Sequence, residues 1–347
     1  MNSYRILNKT IFLSTDNQEF IQAFNLDYKC FEEQKAREEK SDINIQYYKN
    51  ILKINNNKSD LGNHPKPVHY AVQLTVSEIM SFLEDYYLIH AGVVKRNNDL
   101  IVLSGPPGIG KSTLVKELVK HGYNYFSDDC APLDKKTGLI YPFPRSMWIV
   151  DHSDSKRVSS VRSKKSISVN SLNNELESKP AKPSFVICLI DDFLPEKTVK
   201  LNLSLKSFQS QLIERLKQIK GIKINQRHDN YPEYTIMYDQ SDSITNIIKE
   251  ACKNHSKELW QIYRTGSSRL CFKRKASIKL ISAHQAASNI IPEMKVFDSF
   301  ISSSDKGSAM KSLFNISKLL KDSKCFFLTT GTLNSELKCI ESVLSMF

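Results

Sequence analysis

Glycine is scarce in this chain, with 11 residues among 347, and only two tryptophans are present. No apolar run approaches the roughly 18 residues that a membrane-spanning helix needs, so no membrane partner is expected. The N-terminus carries no uninterrupted apolar stretch behind a basic cluster, so no secretory signal is expected. Cysteine is sparse and unpatterned: Cys30, Cys130, Cys188, Cys252, Cys271, Cys325 and Cys339 make an odd number with no CxxC pair. That pattern fits free thiols buried in a reducing compartment, and hence a cytoplasmic protein, better than a disulfide or zinc framework. The histidines, among them His64, His69, His152, His228 and His284, show no metal spacing, and no serine nucleophile elbow or Cys-His arrangement stands out.

What is present is ordinary globular composition, 40% hydrophobic and 25% charged, with 17 Phe and 14 Tyr available for cores. The length allows one large domain or two modest ones. The formal charge is +12, from 49 basic and 37 acidic residues. A basic nucleic-acid binder normally adds a reading module, and no zinc finger, RNP motif or basic zipper is found, so nucleic acid is not the expected partner. A phosphate-binding face or an acidic peptide accounts for the charge as well.

Local patterns divide the chain into four parts. Residues 1–65 read as a small β-rich module, with strands at Ile11–Leu13, Asn44–Tyr48 and Ile51–Ile54, a charged run from Glu32 to Lys40, and turn chemistry from Asn55 to Pro65. Residues 66–150 read as a catalytic core. Thr75-Val76-Ser77-Glu78 has the form of a capping box, followed by Ile79, Phe82, Leu83 and Tyr86 on one helical face. Strands Leu88–Val94 and Leu100–Ser104 come next, then a helix from Lys111 ended by Gly122, then a strand Tyr123–Phe126 that delivers Asp128-Asp129. Residues 151–182 read as a basic flexible segment. Residues 183–347 read as the α/β remainder of the core plus an insertion or extension. There the apolar strand Phe185–Ile190 precedes helices near Gln209–Ile219, Ile244–Cys252, Ala283–Asn289, Lys311–Leu320 and Ser335–Met346, and strands at Tyr234–Tyr238, Leu270–Phe272 and Cys325–Thr329.

The second strand of the core runs into Gly105-Pro106-Pro107-Gly108-Ile109-Gly110-Lys111-Ser112, which satisfies GxxxxGK[ST] in full. Glycines let successive backbone N–H groups turn inward on phosphates, and the following helix aims its positive end at the same anion. Lys111 would bridge the β- and γ-phosphates of ATP, the Ser112 hydroxyl would ligate Mg²⁺, and Thr113 extends the nucleotide contact. Three of the chain's 11 glycines fall in this one loop, which argues against a chance match. Two acidic pairs compete to serve it: Asp128-Asp129, and Asp191-Asp192 at the end of the apolar strand, as in the Walker B element of an ordinary P-loop ATPase. Either pair could divide metal ligation and proton acceptance between its members, and local pattern does not choose.

His90, with Ala91-Gly92, lies one strand pair before the loop. Together with Gly122-Tyr123 and Ser127-Asp128-Asp129 it resembles the catalytic core of HPr kinase/phosphorylase and its relatives, over about residues 87–148. The stretch Pro142–Ile149 is similar to one found in relatives from peptide and natural-product biosynthesis. The resemblance implies an α/β fold with a phosphoenolpyruvate carboxykinase-like P-loop core. It implies Asp128 as the base acting on a substrate hydroxyl, Asp129 helping Ser112 to hold Mg²⁺ (with an exchange of the two roles left open), and His90 beside the transferred phosphoryl group. The family often forms hexamers, so a homo-oligomer is the assembly it implies. The chain departs from the bifunctional enzyme at Pro106-Pro107, where that enzyme has Asp-Ser, and at Thr113, where it has Glu. Its downstream glycine-rich signature and its usual N-terminal domain are not found, so neither phosphorylase activity nor HPr as substrate carries over.

Among the cations, Arg145 is the choice for a direct phosphate contact, ahead of Arg264 and Arg269. The run Lys156–Lys165 reads as a solvated loop before a phosphate clamp. The expectation is an ATP-dependent kinase that uses Mg²⁺ to transfer the γ-phosphoryl group to a hydroxyl, a Ser or Thr of a protein or biosynthetic peptide. The alternatives are a hydrolysing P-loop NTPase that uses Asp191 and Asp192, and a non-catalytic nucleotide-binding module.

Overall fold

The structure is a computed structural model. It describes all residues except 1, 34–40, 65, 107, 151–163, 168–178, 191–197, 229–230, 240, 266–274 and 294–305. The protein is a mixed α/β molecule. Its first sheet comprises β1 (Asn2–Ile6), β2 (Lys9–Thr15), β3 (Glu32–Glu33), β4 (Ile43–Tyr48), β5 (Ile51–Ile54) and β6 (Asn57–Asp60), in the order β3-β1-β2-β4-β5-β6. Only β2 and β4 pair in parallel. Alternate residues turn inward, Tyr4 and Ile6 from β1 and Ile43, Ile45 and Tyr47 from β4. They meet the apolar stripe of α1 (Gln18–Tyr28), whose Phe20, Phe24 and Tyr28 follow one another at every fourth residue.

Beside its strands the β-rich N-terminal module carries a full helix, α1, started by the Asn17 side chain accepting from the Phe20 N–H at 2.9 Å. Two local expectations are corrected here. The turn-rich stretch after Ile54 contains β6. The capping box at Thr75 does not start a helix, because α2 (Pro67–Ser81) begins eight residues earlier with proline in its first turn, leaving Thr75 buried in mid-helix. The core of this first sheet does not stop near residue 65: Tyr86, Leu88, Cys130 and Phe143 belong to it as well.

The second sheet has the order β10-β8-β9-β14-β20-β19, built from β8 (Ala91–Arg96), β9 (Asp99–Ser104), β10 (Asn124–Ser127), β14 (Pro183–Ile190), β19 (Ser277–Ile281) and β20 (Lys324–Thr329). The three central strands, β9, β14 and β20, are parallel. In β14 Phe185, Val186, Ile187, Cys188 and Leu189 are all buried, because helices cover both faces of the sheet. One face packs on α3 (Lys111–Lys120) and α8 (Leu333–Leu344), through Leu114, Val115, Leu118, Leu337 and Ile340. The other packs on α6 (Ala283–Ile290) and α7 (Lys306–Leu319), through Ala286, Ala287, Ile290 and Ile316. Two small antiparallel pairs flank the sheet, β7 (Tyr86–Ile89) with β11 (Ala131–Asp134), and β12 (Met147–Val150) with β13 (Lys164–Ile167).

Between β14 and β19 the chain builds a separate unit with its own core. Its elements are β15 (Thr198–Leu205), α4 (Gln211–Lys217), β16 (Ile222–His228), β17 (Tyr231–Asp239), α5 (Asp242–Asn254) and β18 (Leu259–Thr265). The order β16-β17-β15-β18, antiparallel throughout, is a split βαβ or ferredoxin-like arrangement. Of its four strands, only the one at Tyr234–Tyr238 is legible in the sequence. The expected strand at Leu270–Phe272 and most of the basic segment 151–182 lie outside the described residues.

Candidate functional site

The sequence read Leu88–Val94 as one strand. In the structure it is two, β7 and β8, and the break falls at His90. The chain on the opposite side breaks at the same level, between β10 and β11. Ile89 pairs with Ala131 and Val93 with Ser127. His90-Ala91-Gly92 therefore lies across from Asp128-Asp129-Cys130. A register shift between Tyr125 and Ser127 accompanies the crossing, as a bulge does where a strand re-aims its side chains. The buried Ser127 hydroxyl donates to the Cys130 carbonyl and closes the turn that carries both aspartates.

This double crossing lies level with the phosphate loop. Ala91 pairs with Ser104, the last residue of β9, and on the far side Cys188 of β14 pairs with the same residue. Gly105 follows at φ 155°, Gly108 at 83° and Gly110 at 107°. A Cβ on Gly105 would lie 2.8 Å from the Leu189 carbonyl oxygen, so the loop rests directly on β14. Lys111 is buried, and its Nζ donates to the carbonyls of Gly105 at 2.5 Å and Pro106 at 3.1 Å. Ser112 is half-buried at the start of α3, and Thr113 is exposed. Ile109 anchors the loop in the core, while Pro107 lies outside the described residues. Gly92 lets α3 close on β8: a Cβ there would stand 2.4 Å from Val115 Cγ2 and 3.8 Å from Asp128 Oδ1.

Asp128 is the inner carboxylate, buried beside Gly92, and Asp129 the outer one, with 37% of its side chain exposed. Asp129 Oδ1 stands 3.4 Å from His90 Nε2, and its Oδ2 accepts from Arg145 Nη1 at 3.1 Å. Arg145, expected to contact phosphate directly, is engaged otherwise. Its second guanidinium nitrogen donates to Asp27, and its plane lies 5.3 Å from the centre of the Tyr28 ring. Burial opposes its charge, but the carboxylates of Asp129 and Asp27 outweigh that and hold it firmly protonated. Burial pushes the Tyr28 and Tyr125 hydroxyls far above their ordinary range, so both remain neutral phenols. Asp27 and Tyr28 come from α1, and nothing in their sequence neighbourhood ties them to this site.

The residues fit a nucleotide with a divalent cation: a glycine loop with no room for Cβ at its root, a buried lysine on its carbonyls, a serine at a helix start, and a carboxylate pair level with them. Among the described residues no group of three or more His, Cys, Asp or Glu side chains could hold a metal. Mg²⁺ is commonly bound by one or two carboxylates together with substrate phosphates. Asp191 and Asp192 lie outside the described residues. No described helix is long and apolar enough to cross a membrane. The chain matches no protein-family model and no curated protein.

Proposed function

We propose that the protein is an ATP-dependent kinase with an HPr-kinase-like, phosphoenolpyruvate carboxykinase-like P-loop core, and that it phosphorylates a Ser or Thr hydroxyl of a protein or peptide. The observation that carries this is the register. It brings His90 and the Asp128-Asp129 turn, each at a break between paired strands, to the level where the phosphate loop leaves β9. Bound ATP supplies the phosphoryl group, and Mg²⁺ neutralises charge on it. The loop amides and Lys111 would hold the phosphates, and Lys111 can exchange its present carbonyl partners for them.

Burial supports the exchanged assignment of the two aspartates. Asp128, buried beside Gly92, is suited to hold Mg²⁺ with Ser112. Asp129, half-exposed and flanked by His90, is suited to accept the proton of the acceptor hydroxyl. His90 and Arg145 would orient Asp129, so that catalysis is positioning and charge stabilisation by groups already in place.

One observation favours a second reading, a hydrolysing NTPase. β14, which leads to Asp191-Asp192, is the parallel neighbour of β9 and touches Gly105. The test is to incubate the protein with γ-³²P-ATP, Mg²⁺ and lysate of its source, comparing wild type with Lys111→Ala, Asp128→Asn, Asp129→Asn and Asp191→Asn. A labelled protein or peptide band lost in the first three variants and kept in Asp191→Asn is the expected result. Free phosphate as sole product, abolished by Asp191→Asn and untouched by Asp128→Asn and Asp129→Asn, would replace the kinase with the NTPase.

A further inference from the structure

We propose that Asp27, contributed by helix α1 of the N-terminal module, is a positioning residue of the catalytic centre, fixing Asp129 through Arg145. The inference rests on the kinase reading and deepens it. Arg145 stands between two carboxylates, Asp129 on Nη1 and Asp27 on Nη2, separated from Asp27 by 118 residues of sequence. Only 12% of its side chain and 16% of that of Asp27 are exposed, so this ion pair is sheltered where the Asp129 side is not.

The segment around Arg145 is clamped from both directions. The Tyr125 hydroxyl donates to the Arg145 carbonyl at 2.7 Å, and the Ser146 hydroxyl donates to the Leu26 carbonyl at the end of α1. Phe143 meets Tyr28 edge-on, with ring centres 6.5 Å apart, and packs on Phe31 at 5.1 Å. The N-terminal module is thus docked on the residues that hold the outer aspartate. Three buried polar atoms of the cluster, Asp27 Oδ1, Tyr28 Oη and Arg145 Nε, have no hydrogen-bond partner among the described residues. A buried group left in that state calls for an explanation, and a guanidinium held for its orientation towards Asp129 supplies one.

Charge points the same way. With Asp27 present, one guanidinium is divided between two carboxylates and its direction towards Asp129 is fixed. Without it, Arg145 would lose its anchor and Asp129 its fixed placement. A buried guanidinium prefers such forked pairing with carboxylates, so the geometry is specific to arginine.

The experiment measures steady-state hydrolysis of γ-³²P-ATP with water as acceptor, so that no acceptor need be known. Asp27→Asn is expected to lower kcat by roughly ten- to a hundredfold, the cost of a misplaced catalytic group. KM for ATP should stay within about twofold, and Asp27→Glu should restore most of the rate. In the nucleotide-free protein, urea unfolding of Asp27→Asn, Arg145→Lys and the double variant should be non-additive. A kcat for Asp27→Asn within twofold of wild type, a KM that rises in step with the loss, or additive unfolding would each overturn the inference. If Asp27→Asn unfolds, Asp27→Glu decides: a folded but equally inactive Glu variant also overturns it. Lys111→Ala and Asp129→Asn separate the two levels. If they remain active the kinase reading fails, and if they are inactive while Asp27→Asn is not, only the role of Asp27 fails.

Discussion

Replacing Gly105 by alanine tests whether the phosphate loop lies where its geometry puts it. The residue has φ 155°, a conformation that side-chain-bearing residues rarely adopt, and such strain costs on the order of 1–3 kcal/mol. The added Cβ would also stand 2.8 Å from the Leu189 carbonyl oxygen and 3.1 Å from Leu189 Cβ. Neither atom is the free end of a side chain. Both belong to β14, paired on one side with β9 and on the other with β20, so neither can retreat without moving the sheet. Overpacking of this kind costs about 1–3 kcal/mol more, for a total of about 2–6 kcal/mol, a large part of a typical stability of about 5–15 kcal/mol. Gly122→Ala is the control. Its φ is 87°, but its Cβ would meet nothing within 4 Å, so it should lose only about 1–2 kcal/mol of backbone strain. Urea unfolding followed by far-UV circular dichroism gives both losses, and equilibrium binding of Mg·ATP gives the functional consequence. Equal losses for the two variants would show that the clash with Leu189 is absent and that the loop does not rest on β14. Unimpaired ATP binding by Gly105→Ala would remove the loop from the site altogether.

Two further substitutions have signs fixed by charge. Glu336, buried near the start of α8, is pushed above the ordinary carboxylate range by burial, partly offset by the Gly331 N–H it accepts at 2.9 Å. Its ionised form thus opposes folding at neutral pH, and that penalty disappears as pH falls below the unfolded carboxylate value. Glu336→Gln keeps an acceptor for Gly331 and should stabilise the protein by about 1 kcal/mol or less at pH 7.5. The gap should close near pH 4 in paired thermal melts. For Glu258, burial opposes ionisation, but bonds from Ser210 Oγ (2.7 Å), His255 Nδ1 (2.7 Å) and Leu212 N (3.3 Å) outweigh it and hold the carboxyl below its usual range. Its stabilisation is therefore complete above the unfolded carboxylate value and is lost as pH falls towards the folded one. Glu258→Ala should cost about 1–2 kcal/mol at pH 7, the scale of a lost helix cap, and much less near pH 3.5, read from urea midpoints.

How far the sequence could be read depended on how local each signal was. The phosphate loop and the strand before it are contiguous, and the apolar run of β14 follows from burial on both faces. Gly122, at φ 87°, ends α3 as its position foretold. The capping pattern at Thr75 misled because the buried face of α2 continues upstream through Val68 and Ala71, and Pro67 supplies the start. Helix α1 escaped notice although Asn17 and the spacing of Phe20, Phe24 and Tyr28 would have marked it. β16 could not be recognised by period: Ile222 and Ile224 are its only apolar residues, alternating with Lys223 and Asn225 along an edge strand that buries little. The contact of Arg145 with Asp27 spans 118 residues and leaves no trace in either neighbourhood.

On the kinase reading, the same distinction bears on which acidic pair would do the chemistry. A catalytic carboxylate is useful in proportion to how firmly it is held before the reaction begins. Asp128-Asp129 occupies a turn whose two flanking strands are each paired, β10 with β8 and β11 with β7. The turn is closed by Ser127 and lies beside Gly92. Its outer member is held by His90 and by an arginine that the N-terminal module clamps in place. The pair at 128–129 thus meets the requirement of preorganisation, while Asp191 and Asp192 lie outside the described residues. The strands that lead to the two pairs flank the loop strand from opposite sides, β10 lying two places away across β8 and β14 adjoining it. Loss of phosphoryl transfer in Asp129→Asn with retention in Asp191→Asn would therefore identify not only a residue but the side of β9 from which the acceptor approaches.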